Sequence, residues 1–98
     1  MPEFPGGQQA LIQFLGKKIK YPTVAQGEMG LQGRVIIRFV VDKEGNVVNP
    51  KVVRSVDPYL DKEALRIINQ MPKWKPGELE DGTKVAVYFT VPVMFRAQ

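Results

Sequence analysis

Apolar residues recur at every second position in three short stretches of this chain and at three- or four-residue intervals in two others. A spacing of two marks a strand with one face buried, and a spacing of three to four marks one face of a helix. In residues 8–20, Leu11, Leu15 and Ile19 fall at fourfold spacing, flanked by Ile12 and Phe14, with Gln13, Lys17, Lys18 and Lys20 mostly opposite. This predicts an amphipathic helix. Pro22 disfavours helical geometry at Tyr21 and stops it, so residues 23–33, with three glycines, read as a connector.

The first strand covers residues 34–42, with Val35, Ile37, Phe39 and Val41 on a core face and Arg34, Ile36, Arg38 and Val40 on the other. Asp42-Lys43-Glu44-Gly45-Asn46 then has the composition of a hairpin loop, Gly45 supplying a positive φ. Residues 47–55 form the second strand. Pro50 inside it predicts a marginal position or a bulge, because proline gives no donor to a ladder. Asp57 before Pro58 suits an N-cap with proline at the first helical position. Leu60, Ala64, Ile67, Ile68 and Met71 continue at helical spacing until Pro72. The third strand, residues 85–95, aligns Val85, Val87, Phe89, Val91, Val93 and Phe95 on one face and Ala86, Tyr88, Thr90, Pro92 and Met94 on the other.

The order is therefore helix-strand-strand-helix-strand, after an irregular lead-in over residues 1–7 where two prolines and two glycines disfavour regular structure. Residues 8–98 read as one domain. A crossover from the second strand to the third skips the first and leaves it central, in the strand order 2-1-3. The predicted fold class is α+β, a two-layer sandwich with a three-stranded antiparallel sheet and both helices on its apolar face. The wet face then carries Arg34, Arg38 and Tyr88.

Pro92 makes the third strand a margin, and a free sheet margin can accept another chain. If the strand is regular, the missing donor of Pro92 faces away from the first strand. Ala86, Tyr88 and Thr90 share its parity and aim their donors outward, so the predicted docking ladder spans residues 84–91, from Lys84, and Pro92 ends it. Such pairing alone is weak, and specificity falls to side chains. The candidates are Tyr88, Tyr21 with Pro22, and Trp74. Helix termination explains Tyr21 and Pro22 equally well, and for Trp74 packing over the end of the second helix stands beside peptide contact.

Composition removes several function classes. The chain has no histidine and no cysteine, which excludes thiolate and disulfide chemistry and the commonest acid–base and metal-ligand groups. The carboxylates Asp42, Glu44, Asp57, Asp61, Glu63, Glu78, Glu80 and Asp81 fall in turns or near a helix start, where capping and solvation account for them. No catalytic residue, cofactor or metal is expected. A net charge of +4 allows acidic partners without requiring one, since the basic residues are scattered. Gly27-Glu28-Met29-Gly30 spells the GxxG of an RNA clamp, but Glu28 would repel phosphate and the first strand lacks interleaved aromatics, so nucleic acid is not expected. No run of eighteen apolar residues is present, and Pro2, Glu3, Pro5, Gly6 and Gly7 break any signal-peptide pattern.

From Pro5 to Phe95 the chain resembles the C-terminal periplasmic domain of TonB-type energy transducers. The matching pieces are Tyr21-Pro22 with Ala25, Gly30 and Gly33 ahead of Val35, the hairpin Asp42 to Gly45, Leu60 with Ala64, and Trp74-Lys75-Pro76-Gly77; Phe4-Pro5-Gly6-Gly7 looks like a variant of the family's lead-in. The resemblance implies a periplasmic domain of a Gram-negative protein held in the inner membrane by a helix and a proline-rich spacer, neither of which this chain contains. It implies capture of the extended TonB box of outer-membrane receptors, powered by the proton gradient through ExbB and ExbD, for import of iron chelates (siderophores), cobalamin or glycans. The extra C-terminal strand of some relatives has no residues here to build it. The same domain type also occurs in other envelope proteins such as membrane sensors, and pairing of the third strand with its own copy would give a homodimer from the same margin.

Overall fold

A computed structural model of the chain describes residues 1–18 and 33–95. The elements follow the predicted order with one addition. Helix α1 spans Gly7–Lys18, strands β1 and β2 span Gly33–Val41 and Val47–Arg54, and helix α2 spans Pro58–Ile68. Two two-residue strands, β3 (Gly77–Glu78) and β4 (Lys84–Val85), precede β5, Val87–Phe95. The main sheet has the order β2-β1-β5, with β1 antiparallel to both neighbours. The predicted stop at Tyr21 and Pro22, the connector and the GxxG segment lie outside the described residues.

The sheet forms because the odd positions of β1 have one place to go. Val35, Ile37, Phe39 and Val41 are fully buried, and Val91, Val93 and Phe95 meet them from β5. Leu60, Ala64, Ile67 and Ile68 of α2 close over this layer, with Leu11 and Leu15 of α1 in the same cluster. Burial of each large aliphatic side chain contributes about 1.5–3 kcal/mol, so these rows decide the register: a slip of one residue would turn each of them to water. The β1–β5 ladder runs unbroken from Gly33 opposite Phe95 to Val41 opposite Val87. The β1–β2 ladder is irregular in two places, one of them at Asn49 and Pro50, where Asn49 takes a φ of 54°. Pro50 thus sits in both predicted settings, a marginal strand and a bulge.

The caps are those the sequence implies. Asp57 is extended and accepts the Tyr59 N–H at 2.9 Å, with Pro58 opening α2. The helix ends earlier than its apolar spacing, at Ile68. Gln70 and Met71 donate to carbonyls three residues back, a tightening turn ahead of Pro72. Arg66 ties the layer of helices together, donating twice to Glu63 at 2.7 Å and once to the Lys18 carbonyl at 2.9 Å.

In the β1–β2 loop, Asp42 accepts the N–H groups of Glu44 and Asn46 at 2.9 and 2.8 Å. These bonds, that from Asn46 first, hold its carboxyl below the usual aspartate range. A depressed carboxyl contributes stability that is present above the ordinary value, about 3.9, and lost as pH falls through the folded one. Asp42→Asn should therefore be less stable than the wild type at pH 7, with the gap closing below about pH 4. Urea midpoints measured across that range check this; a gap independent of pH would contradict it.

The lead-in is irregular but docked. Glu3 and Lys75 exchange backbone hydrogen bonds at 2.8 and 2.7 Å, and Phe4 is buried in the core cluster. The added ribbon, β3 with β4, replaces the plain polar loop read over residues 78–83. Leu79 N–H reaches the Thr83 carbonyl at 2.8 Å, and Gly82 turns the chain at a φ of 87°. Strands of two residues carry too little alternation to be read as periodicity. The Asp81-Gly82 pair was the only hairpin signal there.

Candidate functional site

Both outer strands of the sheet pair with β1 alone, but β2 is irregular in two places, whereas β5 presents an unbroken ladder and so a regular free flank. Residues opposite one another in an antiparallel ladder alternate between hydrogen-bonded and non-bonded pairs. Pro92 stands opposite Ile36, and lacking an N–H it belongs to a non-bonded pair. The unbroken register then extends that assignment to Thr90, Tyr88 and Met94, whose backbone groups point away from β1. Among the described residues nothing pairs with that flank.

On the helix side, a groove of about 590 Å³ runs beside this flank. Its walls come from Phe4 and the lead-in, from Leu11, Ile12 and Leu15 of α1, from Trp74, and from residues 89–92 of β5. Ile12 lies off the buried stripe of α1 and is exposed, which leaves an aliphatic side chain on the rim. Phe89 is only half-buried, although it shares the core parity of β5, because the groove opens over it.

Trp74 is 3% exposed and forms the inner wall. Its indole meets Phe4, Phe39 and Phe89 edge-on, with ring centroids 5.6, 5.4 and 4.9 Å away. Such arrangements bring the positive edge of one ring to the negative face of another. The Nε1–H has no acceptor among the described residues. Trp74 therefore shapes the groove, with its ring held by three phenylalanines.

The other candidates are distributed unevenly. Tyr88 and Thr90 sit on β5, exposed, with Tyr88 at 69%. Lys84 belongs to β4 and pairs with Glu78, while Ala86 is exposed between β4 and β5. The free flank proper begins with β5. Tyr21 and Pro22 lie outside the described residues. The groove itself was not read from the sequence. Phe4 alone in a proline- and glycine-rich lead-in, and Ile12 off the helical stripe, were the signals available.

On the opposite sheet face, the Arg38 guanidinium lies 5.0 Å from the centre of the Tyr88 ring. The two share a hollow of about 340 Å³ with Val40, Asn49 and Lys51, next to the bulge in β2. Among the described residues there is no group of three or more acidic, histidine or cysteine side chains that could hold a metal, and no helix long and apolar enough to cross a membrane.

The arrangement leaves one backbone flank of β5 open beside an apolar groove, and among the described residues no nucleophile–base pair lines that groove. A search of curated proteins gives no match. Among solved structures, the chain is similar to the C-terminal domain of Helicobacter pylori TonB, residues 194–285. Identity is 25%, 89% of each chain is covered, and the TM-score is 0.65. A longer form of that domain, residues 179–285, shares the fold with a TM-score of 0.67 at 23% identity, covering 96% of this chain and 87% of the other. Residues 17–97 match the family model described as Gram-negative bacterial TonB protein C-terminal, and the chain belongs to that family.

Proposed function

We propose that this chain is the periplasmic domain of a TonB-like energy transducer, and that it captures the extended TonB box of an outer-membrane receptor by strand addition to β5. Work drawn from the inner-membrane proton gradient, through ExbB and ExbD at the membrane anchor, would then drive import. The observation that carries the reading is the free flank of β5 beside an apolar groove, with Tyr88 and Thr90 directed outward.

Magnitudes support reversible capture. The N–H and C=O of Tyr88 and Thr90 with the C=O of Pro92 offer about five hydrogen bonds, each a net ~0.5–1.5 kcal/mol. Ordering about six visiting residues costs ~1–2 kcal/mol apiece, which matches or exceeds that gain. The surplus comes from side chains entering the groove, where each aliphatic group contributes about 1.5–3 kcal/mol. The visitor is therefore recognised by what alternate residues place in the groove.

NMR titration with an extended receptor-derived peptide tests this. The amides of Tyr88 and Thr90 should shift with the groove methyls of Leu11, Ile12 and Leu15. Shifts confined to α2 or the β1–β2 loop would reject it.

A further inference from the structure

We infer that Arg38, whose guanidinium lies over the Tyr88 ring, is a carboxylate receptor for the visiting strand and sets which residues it carries on the wet face. This rests on the docking reading above and adds a requirement to it. A visiting strand alternates its side chains, so residues of one parity enter the groove and those of the other lie over the face that bears Tyr88.

That face has one sign of charge. Arg34 and Arg38 of β1 share it with Lys51 and Arg54 of β2, which stand opposite Arg38 and Ile36. None of β1, β2 or β5 contains an aspartate or glutamate. Arg38 is the cation of this set placed to reach the free flank, because its guanidinium lies over a ring that belongs to β5. This placement occupies none of the five guanidinium N–H donors, and among the described residues none has an acceptor. A planar donor fork without an acceptor matches a carboxylate in two-point geometry.

Reach permits it. The added strand would lie two sheet spacings from β1, about 9.6 Å, which an arginine and a glutamate span by extending toward one another. The same charges argue against a second copy on this flank. Edge-to-edge pairing of two β5 strands would bring two cationic faces side by side with no anion on either.

The test uses the 98-residue chain and a capped eight-residue host of alternating valine and threonine, with one glutamate moved along it and glutamine as the matched control. Isothermal titration measures affinity, and the Tyr88 and Thr90 amides report strand addition independently. Glutamate should be preferred over glutamine by about tenfold, at every second position only, with the preference falling as salt is raised. In Arg38→Gln the preference should collapse to less than about twofold, and Arg38→Lys should restore only part of it, since an ammonium lacks the fork. Amide shifts with equal binding of glutamate and glutamine peptides at every position would overturn the carboxylate receptor and leave strand addition standing. Absence of those shifts with every peptide would overturn both.

Discussion

Thr90→Pro should abolish peptide capture in a domain that stays folded, while Val91→Pro, one residue along, should remove a large share of the fold's stability. The contrast follows from parity. Thr90 shares the side of Pro92, so its N–H serves the free flank, and removing it takes nothing from the β1–β5 ladder. The fold should lose about 1 kcal/mol, the cost of an average point substitution. Capture loses a donor in the middle of the docking stretch, and the proline ring blocks close approach at the same point. Val91 has the other parity and stands opposite Ile37 in a bonded pair. Proline there deletes the donor to a fully buried residue's carbonyl and presses its ring against β1. The orphaned group alone costs about 1–3 kcal/mol, and strain should bring the total to about 2–4. That is a large share of the stability of a small domain. Denaturant melts of both variants, with peptide titration of the folded one, check the pair. Equal destabilisation would mean that β5 does not present alternate flanks as its register implies, and the docking reading would lose its basis.

What could be read in the sequence depended on how local the cause was. Period-two burial in β1 and β5, the proline-set margin, the Asp57–Pro58 helix start and Gly45 in the hairpin are each decided by a few adjacent residues. Their reading carries over to the structure. Strand order also followed, because Pro50 and Pro92 each exclude their strand from a central place. The groove is different in kind. It is built by Phe4, by α1, by Trp74 and by β5, segments separated by most of the chain, and each wall residue looks like ordinary core or ordinary surface in its own neighbourhood. Trp74 shows the same limit: between two lysines its sequence context admits contact with a ligand, while the structure seats it among Phe4, Phe39 and Phe89. The contact of Arg38 with the Tyr88 ring was half legible. Alternation put both on the wet face, but their approach depends on the pairing of β1 with β5, which places Tyr88 opposite Val40 and one diagonal step from Arg38.

Among the described residues Gly45→Ala should be the most damaging substitution of a single hydrogen by a methyl group, and Gly82→Ala measures why. Both glycines have a positive φ, 90° and 87°, which costs an alanine about 1–2 kcal/mol. At Gly82 the added methyl group meets nothing within 4 Å, so the backbone term is the whole effect. At Gly45 the methyl carbon would stand 2.1 Å from the Trp74 carbonyl oxygen, a backbone atom that cannot rotate aside. The two segments must separate, and the hydrogen bond from Trp74 N–H to the Gly45 carbonyl, 2.8 Å long, goes with them. Losing a buried bond adds about 1–3 kcal/mol, giving roughly 2–5 for Gly45 against 1–2 for Gly82. The consequence reaches the binding surface, because the same segment seats Trp74 in the groove wall, and Lys75, next to it, holds the lead-in through Glu3. Any fraction of Gly45→Ala that remains folded should therefore bind the extended peptide more weakly than Gly82→Ala does, although neither glycine lies on the β5 flank. Chemical denaturation and peptide titration of both variants decide the matter. Equal stabilities would show that the hairpin and the Trp74 segment are free to part, and that the groove does not depend on their contact.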